Sequence, residues 1–81
     1  MSIVLKIAVA QTLSENGRID QNLARASAAA EHAVREGAEL VLFPELMPTG
    51  FALDAEIWGA AEPRQGKTTR WLAAEARRLN C

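Results

Sequence analysis

Eighty-one residues suffice for one small domain but fall below the size at which a single core is comfortably stable. A composition of 49% hydrophobic and 23% charged residues, with only three prolines and five glycines, excludes a disordered tail. Nine basic against ten acidic side chains give a net charge of -1, which offers no strong field for nucleic acid or an anionic membrane.

The segment from Met1 to Ala10 is apolar apart from Ser2 and Lys6. It is far shorter than the roughly 20 residues needed to span a bilayer, and it lacks the basic start and cleavage site of a signal peptide. Ile3, Val4, Leu5, Ile7, Ala8 and Val9 instead form a β-rich, nearly continuous run that predicts a strand covered on both faces. Ser14, Glu15, Asn16 and Gly17 read as a loop. Asp20 can accept hydrogen bonds from the free amides of a helix that starts there. Leu23, Ala26, Ala30, Ala33 and Val34 then recur on one helical face, with Glu31 and Arg35 spaced to pair on the wet side. Gly37 is placed to end this helix in a left-handed conformation.

Leu40, Val41, Leu42 and Phe43 form a second apolar strand. Strand, helix and strand make a βαβ unit, whose crossover sets the two strands parallel and brings their carboxyl ends to one edge. Open α/β sheets place ligand groups at that edge, and here it receives Gln11 and Glu45. Pro44, Pro48, Gly50, Gly59, Pro63 and Gly66 then interrupt the chain as far as residue 66, a long connection with a short helix expected near Asp54 to Trp58. A last helix starts at Thr68 or Thr69, carries Leu72, Ala76 and Leu79 on one stripe with Trp71 beside it, and stops at Asn80 and Cys81. Two strands do not make a robust parallel sheet, so residues 1–81 read as one α/β piece of a larger domain, cut at its C-terminus.

Glu45 follows four apolar residues and one proline. Pro44 fixes its own backbone and holds Phe43 extended, so the carboxylate is presented with little freedom. Apolar surroundings there would suit a group that accepts and returns a proton. The same position also suits a solvated glutamate that caps the next turn, and spacing alone leaves both readings open.

The run Leu42-Phe43-Pro44-Glu45-Leu46, followed by Gly50-Phe51, resembles the first active-site signature of the nitrilase, or carbon-nitrogen hydrolase, superfamily. Ile7-Ala8-Val9-Ala10-Gln11, the alanine-rich helix containing Asn22, and Gly37-Ala38 are similar to the same family in the same order. The resemblance implies the N-terminal portion of an α-β-β-α sandwich, in the order β-α-β-long loop-α. It also implies hydrolysis of non-peptide carbon-nitrogen bonds, amide or nitrile, through a Glu-Lys-Cys triad in which Glu45 is the general base. Both of its partners would come from strand ends further along the chain. Phe51 would be a wall of the substrate pocket, no cofactor or metal is implied, and the complete protein would be a cytoplasmic homo-oligomer acting on a small molecule. A non-catalytic α/β interaction fragment, or a degenerate family member, is the alternative.

Other residues read more plainly. Lys67 lies only 22 residues after Glu45, too early for the family lysine, and Cys81 reads as a structural cysteine of the complete protein. A single cysteine rules out an internal disulfide and a CxxC redox or zinc pattern, and it fits a reducing compartment. Gly66-Lys67-Thr68 looks like the end of a phosphate-binding loop, but the spaced upstream glycine is replaced by Ala61. His32 stands on a helix with no cluster of metal ligands around it, and Trp58 and Trp71 lack the basic interleaving of a nucleic-acid stacking pair.

Overall fold

The computed structural model describes residues 3–50, 59 and 61–81. Strand β1 (Ile7–Val9), helix α1 (Ile19–Arg35), strand β2 (Leu40–Leu42) and helix α2 (Lys67–Leu79) follow in that order. This is the expected α/β topology. The short helix expected near Asp54 to Trp58 lies outside the described residues.

β1 and β2 pair in parallel, with Ile7 opposite Leu40, Ala8 opposite Val41 and Val9 opposite Leu42. The ladder is extended at one end by the Glu39 amide, which donates to the Lys6 carbonyl, and at the other by the Ala10 amide, which donates to that of Leu42. Ile3 to Leu5 lie outside the strand because β2, its one partner here, supplies no residues opposite them. Strand residues alternate between faces. Ala8 and Val41 are half-buried toward the helices, whereas Ile7, Val9, Leu40 and Leu42 are 53%, 71%, 41% and 48% exposed. The expectation of a sheet covered on both faces is therefore corrected: within these residues one face is covered and the other, equally apolar, is bare.

Helix α1 buries Asn22, Leu23, Ala26 and Ala30, a stripe at spacings of three and four. Alanine at 26 and 30 lets the helix lie close, and Leu23, Ala26 and Met47 form the core, with Ile19, Phe43 and Trp71 packed against it. The helix begins one residue before Asp20, with Arg18 at the N-cap and no side-chain cap. Asp20 sits in the first turn, where a negative charge complements the helix dipole, and its carboxylate accepts a 2.7 Å hydrogen bond from Lys67 instead of capping an amide. Glu31 and Arg35 pair as expected, at 3.7 Å.

The other end of α1 closes as the sequence predicts. Gly37 has φ of +97°, its amide donates to the Val34 carbonyl, and the Ala38 amide donates to that of Ala33. This pair of reversed bonds satisfies two carbonyls that the helix leaves unpaired. A side chain at 37 would be strained in this conformation and would press on Lys6, whose Nζ would lie 3.1 Å from the added carbon. Gly37→Ala should lower stability by about 1 kcal/mol, read as a shift in the urea midpoint with an unchanged slope.

Helix α2 crosses α1 on a stripe that shares Trp71 and Leu79 with the one expected but is shifted from Leu72 and Ala76. Thr68, Trp71, Glu75 and Leu79 are the half-buried positions, whereas Leu72 is 51% exposed and Ala76 is exposed. The Trp71 indole N–H donates to Ser27 Oγ at 2.8 Å, and its ring meets that of Phe43 at 5.8 Å between centroids, tilted by 60°. Arg78 adds a tie to α1, 3.5 Å from Glu31, while pairing with Glu75 on its own helix. The indole fixes which face turns inward, because a large ring with one donor fits only where that donor finds a partner.

Candidate active site

The parallel pairing delivers Gln11 and Glu45 to one edge of the sheet, as the βαβ reading requires. Beyond β2 the chain folds into two successive turns. The Met47 amide donates to the Pro44 carbonyl, and the Thr49 and Gly50 amides both donate to that of Leu46. Glu45 is thus the second residue of the first turn. Leu46, the third, has φ of +59°, a left-handed conformation that costs a leucine about 1 kcal/mol or more and is concentrated at functional sites. Glu45 is exposed and not enclosed by apolar neighbours, since Leu46 and Leu42 beside it are themselves exposed.

This turn is stitched to the loop between β1 and α1. Ser14 Oγ donates to the Met47 carbonyl at 2.7 Å, and the Gly17 amide donates to that of Thr49 at 2.9 Å. Asn22, only 1% exposed, completes the set. Its amide Nδ2 donates to the carbonyls of Glu15 at 2.8 Å and Pro48 at 2.9 Å, and its Oδ1 accepts the Glu15 amide at 2.8 Å. A buried carboxamide can make such bonds only if both loops hold their places, and each of its groups is matched. Gly50, with φ of +86°, ends the segment against Asn16: an added methyl would collide with Asn16 Oδ1 and lie 3.0 Å from its Cα. The glycine of the Gly50-Phe51 pair is needed for this close approach. Phe51 itself lies outside the described residues, as does Trp58.

Sequence reading missed the structural weight of Asn22. The available signal was a lone polar residue within the buried stripe of an amphipathic helix, beside Leu23. Such a residue is buried only when it is hydrogen-bonded.

The remaining polar residues serve other ends. Lys67 pairs with Asp20, His32 is exposed, and Cys81 is a free, exposed thiol. The described residues hold no group of three or more His, Cys, Asp or Glu that could bind a metal, and none of their helices is long and apolar enough to cross a membrane. An open apolar cavity of about 130 Å³ lies between β2, α1 and α2, lined by Val41, Phe43, Trp71, Leu72 and Leu79 among others, and Glu45 is not part of its wall.

The Gly66-Lys67-Thr68 run folds as a helix start whose amide is already engaged. Glu62 accepts the Thr68 amide at 2.7 Å and the Thr68 hydroxyl as well, so the chain's own carboxylate stands where a phosphate would bind. Gly66 has room for this carboxylate only because it lacks a side chain, since an added carbon would lie 2.9 Å from Glu62 Oε1. The Thr68 hydroxyl holds the Glu62 carboxyl below its ordinary value; the Thr68 amide and the charges of Lys67 and Arg70 add to this against the opposing effect of burial. A carboxyl lowered on folding stabilises the fold fully above its unfolded value, and the gain is lost as pH falls through the folded one. Urea midpoints taken from about pH 6 down to about pH 3 should therefore fall less steeply in Glu62→Gln than in the parent sequence.

The model of the carbon-nitrogen hydrolase family matches residues 6–81, a stretch that takes in both strands, both helices and the Glu45 turn. The chain belongs to the carbon-nitrogen hydrolase family. No curated protein matches it.

Proposed function

We propose that these residues are the N-terminal portion of a carbon-nitrogen hydrolase domain and that Glu45 is its general base. The observation that carries this reading is the Glu45 turn: a carboxylate at the carboxyl edge of a parallel pair, beside a left-handed leucine, braced by two hydrogen bonds from the loop before α1 and one from Asn22 on α1. A solvated capping glutamate has no need of such bracing. The bare face formed by Ile7, Val9, Leu40 and Leu42 supports the domain assignment, because an α-β-β-α sandwich sets a second sheet against that face.

In this reading a cysteine and a lysine from later strand ends complete the site. Glu45 takes the proton of the cysteine thiol, and the thiolate attacks the carbon of an amide or nitrile. The lysine charge stabilises the negative charge that develops on the attacked group. With an amide, the tetrahedral intermediate collapses as the protonated Glu45 returns the proton to the departing nitrogen, which leaves a thioester. Glu45 then removes a proton from water as it adds to the thioester, and collapse releases the acid and the thiol. With a nitrile the first adduct is a thioimidate, which takes up water before nitrogen leaves. Phe51 is assigned to the wall of the substrate pocket. The assembled protein is an oligomer of like subunits in the cytoplasm.

The test uses the complete polypeptide that carries these residues, incubated with simple aliphatic amides and nitriles. Ammonia release together with an acyl mass increment on one cysteine supports the assignment. Absence of both across the two substrate classes, in folded protein, overturns it in favour of a non-catalytic α/β interaction module.

A further inference from the structure

The buried carboxamide of Asn22 has more to do than satisfy its own helix. It bonds both the amide and the carbonyl of Glu15 and, with its second proton, the carbonyl of Pro48, three residues after Glu45. The Pro48 bond spans 26 residues of sequence and joins α1 directly to the Glu45 turn. The Glu15 side that Asn22 grips is in turn held from outside. Arg25, one turn further along α1, pairs with the Glu15 carboxylate at 3.2 Å and donates to the Leu13 carbonyl at 2.9 Å. The loop bearing Ser14 and Gly17 is therefore a fixed bracket, and the Met47 and Thr49 carbonyls hang from it through the two bonds already described.

We infer that Asn22 is a positioning residue for Glu45: its carboxamide, through Pro48 and the Ser14–Gly17 bracket, fixes where the Glu45 turn stands relative to the sheet edge. The inference rests on the general-base reading of Glu45. A turn that carries a left-handed leucine does not hold its shape unaided, and the bracket supplies the constraint that keeps it. Reacting groups must be set to within a fraction of an ångström, and a misplacement of about 1 Å costs roughly 10²-fold in rate. Asn22 touches no reacting atom in this scheme. It acts on kcat through the turn, leaving substrate affinity to other residues.

The experiment uses the complete polypeptide, an amide substrate and active-site titration of the reactive cysteine, so that rates refer to competent sites only. Asn22→Asp keeps the shape and the acceptor for the Glu15 amide but removes both protons that hold the Glu15 and Pro48 carbonyls. The expected result is a fall in kcat per titrated site of about 10- to 100-fold, with KM within about threefold and the acidic limb of the pH-rate profile displaced. A purely structural role would lower the number of competent sites and leave kcat per site and the limb where they were, and that result overturns the inference. Should Asn22→Asp fail to fold, Ser14→Ala decides. It removes one bond of the same bracket and is expected to lower kcat per site severalfold with the same displaced limb, while an unchanged profile overturns the inference. Glu45→Gln in the same assay separates the two levels. Wild-type turnover in that variant overturns the general-base reading and the positioning role with it, whereas its loss beside wild-type turnover in Asn22→Asp overturns the positioning role alone.

Discussion

Glu45→Gln in the complete polypeptide should lower turnover of an amide substrate by about 10²- to 10⁴-fold, the usual contribution of a positioned acid-base group. Glutamine has the shape of glutamate and can still accept a hydrogen bond, but it cannot take the thiol proton. Among the described residues Glu45 makes no side-chain bond that braces the turn, since the ties run through the backbone of Met47, Pro48 and Thr49. The variant should therefore fold and melt as the parent does, and KM should change little. Single-turnover measurements sharpen the point. A base that serves both half-reactions leaves no fast first step, so the variant should show neither a burst of ammonia nor an accumulated acyl-cysteine. An intact burst followed by slow deacylation would confine Glu45 to the water step and refute the double role.

Trp71→Ala should cost about 3 kcal/mol, toward the lower end for loss of a large aromatic because this ring is half-buried. Among the described residues the ring links α2 to the core, meeting Phe43 at the exit of β2, and its N–H is bonded to Ser27 on α1. Removing it opens a void between the helices and strands the Phe43 ring. Small domains have only about 5–15 kcal/mol in total, so α2 should come loose well before the βαβ unit. Circular dichroism in urea is the suitable measurement, because the substitution removes an indole fluorophore. Trp71→Phe should retain most of the packing and lose about 1 kcal/mol with the Ser27 bond. The exposed ion pair between Arg78 and Glu31 cannot compensate, since such pairs contribute less than about 1 kcal/mol. Equal stability of Trp71→Ala and Trp71→Phe would show that α2 is held by something else.

Local rules carried the sequence reading a long way. Gly37 at the end of α1, the Glu31–Arg35 pair, the parallel strands and the shared edge of Gln11 and Glu45 all follow from residue spacing, and each is present in the fold. What escaped depends on partners distant in sequence. Asp20 has the chemistry of a cap, but Lys67, 47 residues away, takes its carboxylate. The inward face of α2 is set by Ser27 and Phe43 more than by its own stripe of leucine and alanine, so Leu72 stays half exposed on the wall of an open cavity. The evenly apolar strands promised two covered faces, and a periodicity of two cannot tell which cover is supplied by which part of a chain. Asn22 was visible as a letter in a helix, while its role required the Pro48 carbonyl to be placed beside it.

Ser14, Gly17, Asn22, Pro48 and Gly50 bear on the order of events at birth. Every tie described for the Glu45 turn is made between residues 14 and 50. Chains emerge from the ribosome N-terminus first at about 5–20 residues per second. The contacts that brace the Glu45 turn can accordingly begin to form while the chain beyond residue 50 is still being translated. On the proposed reading of Glu45, a proton acceptor would then be waiting for the later residues of the site, and the turn would serve as a template for them.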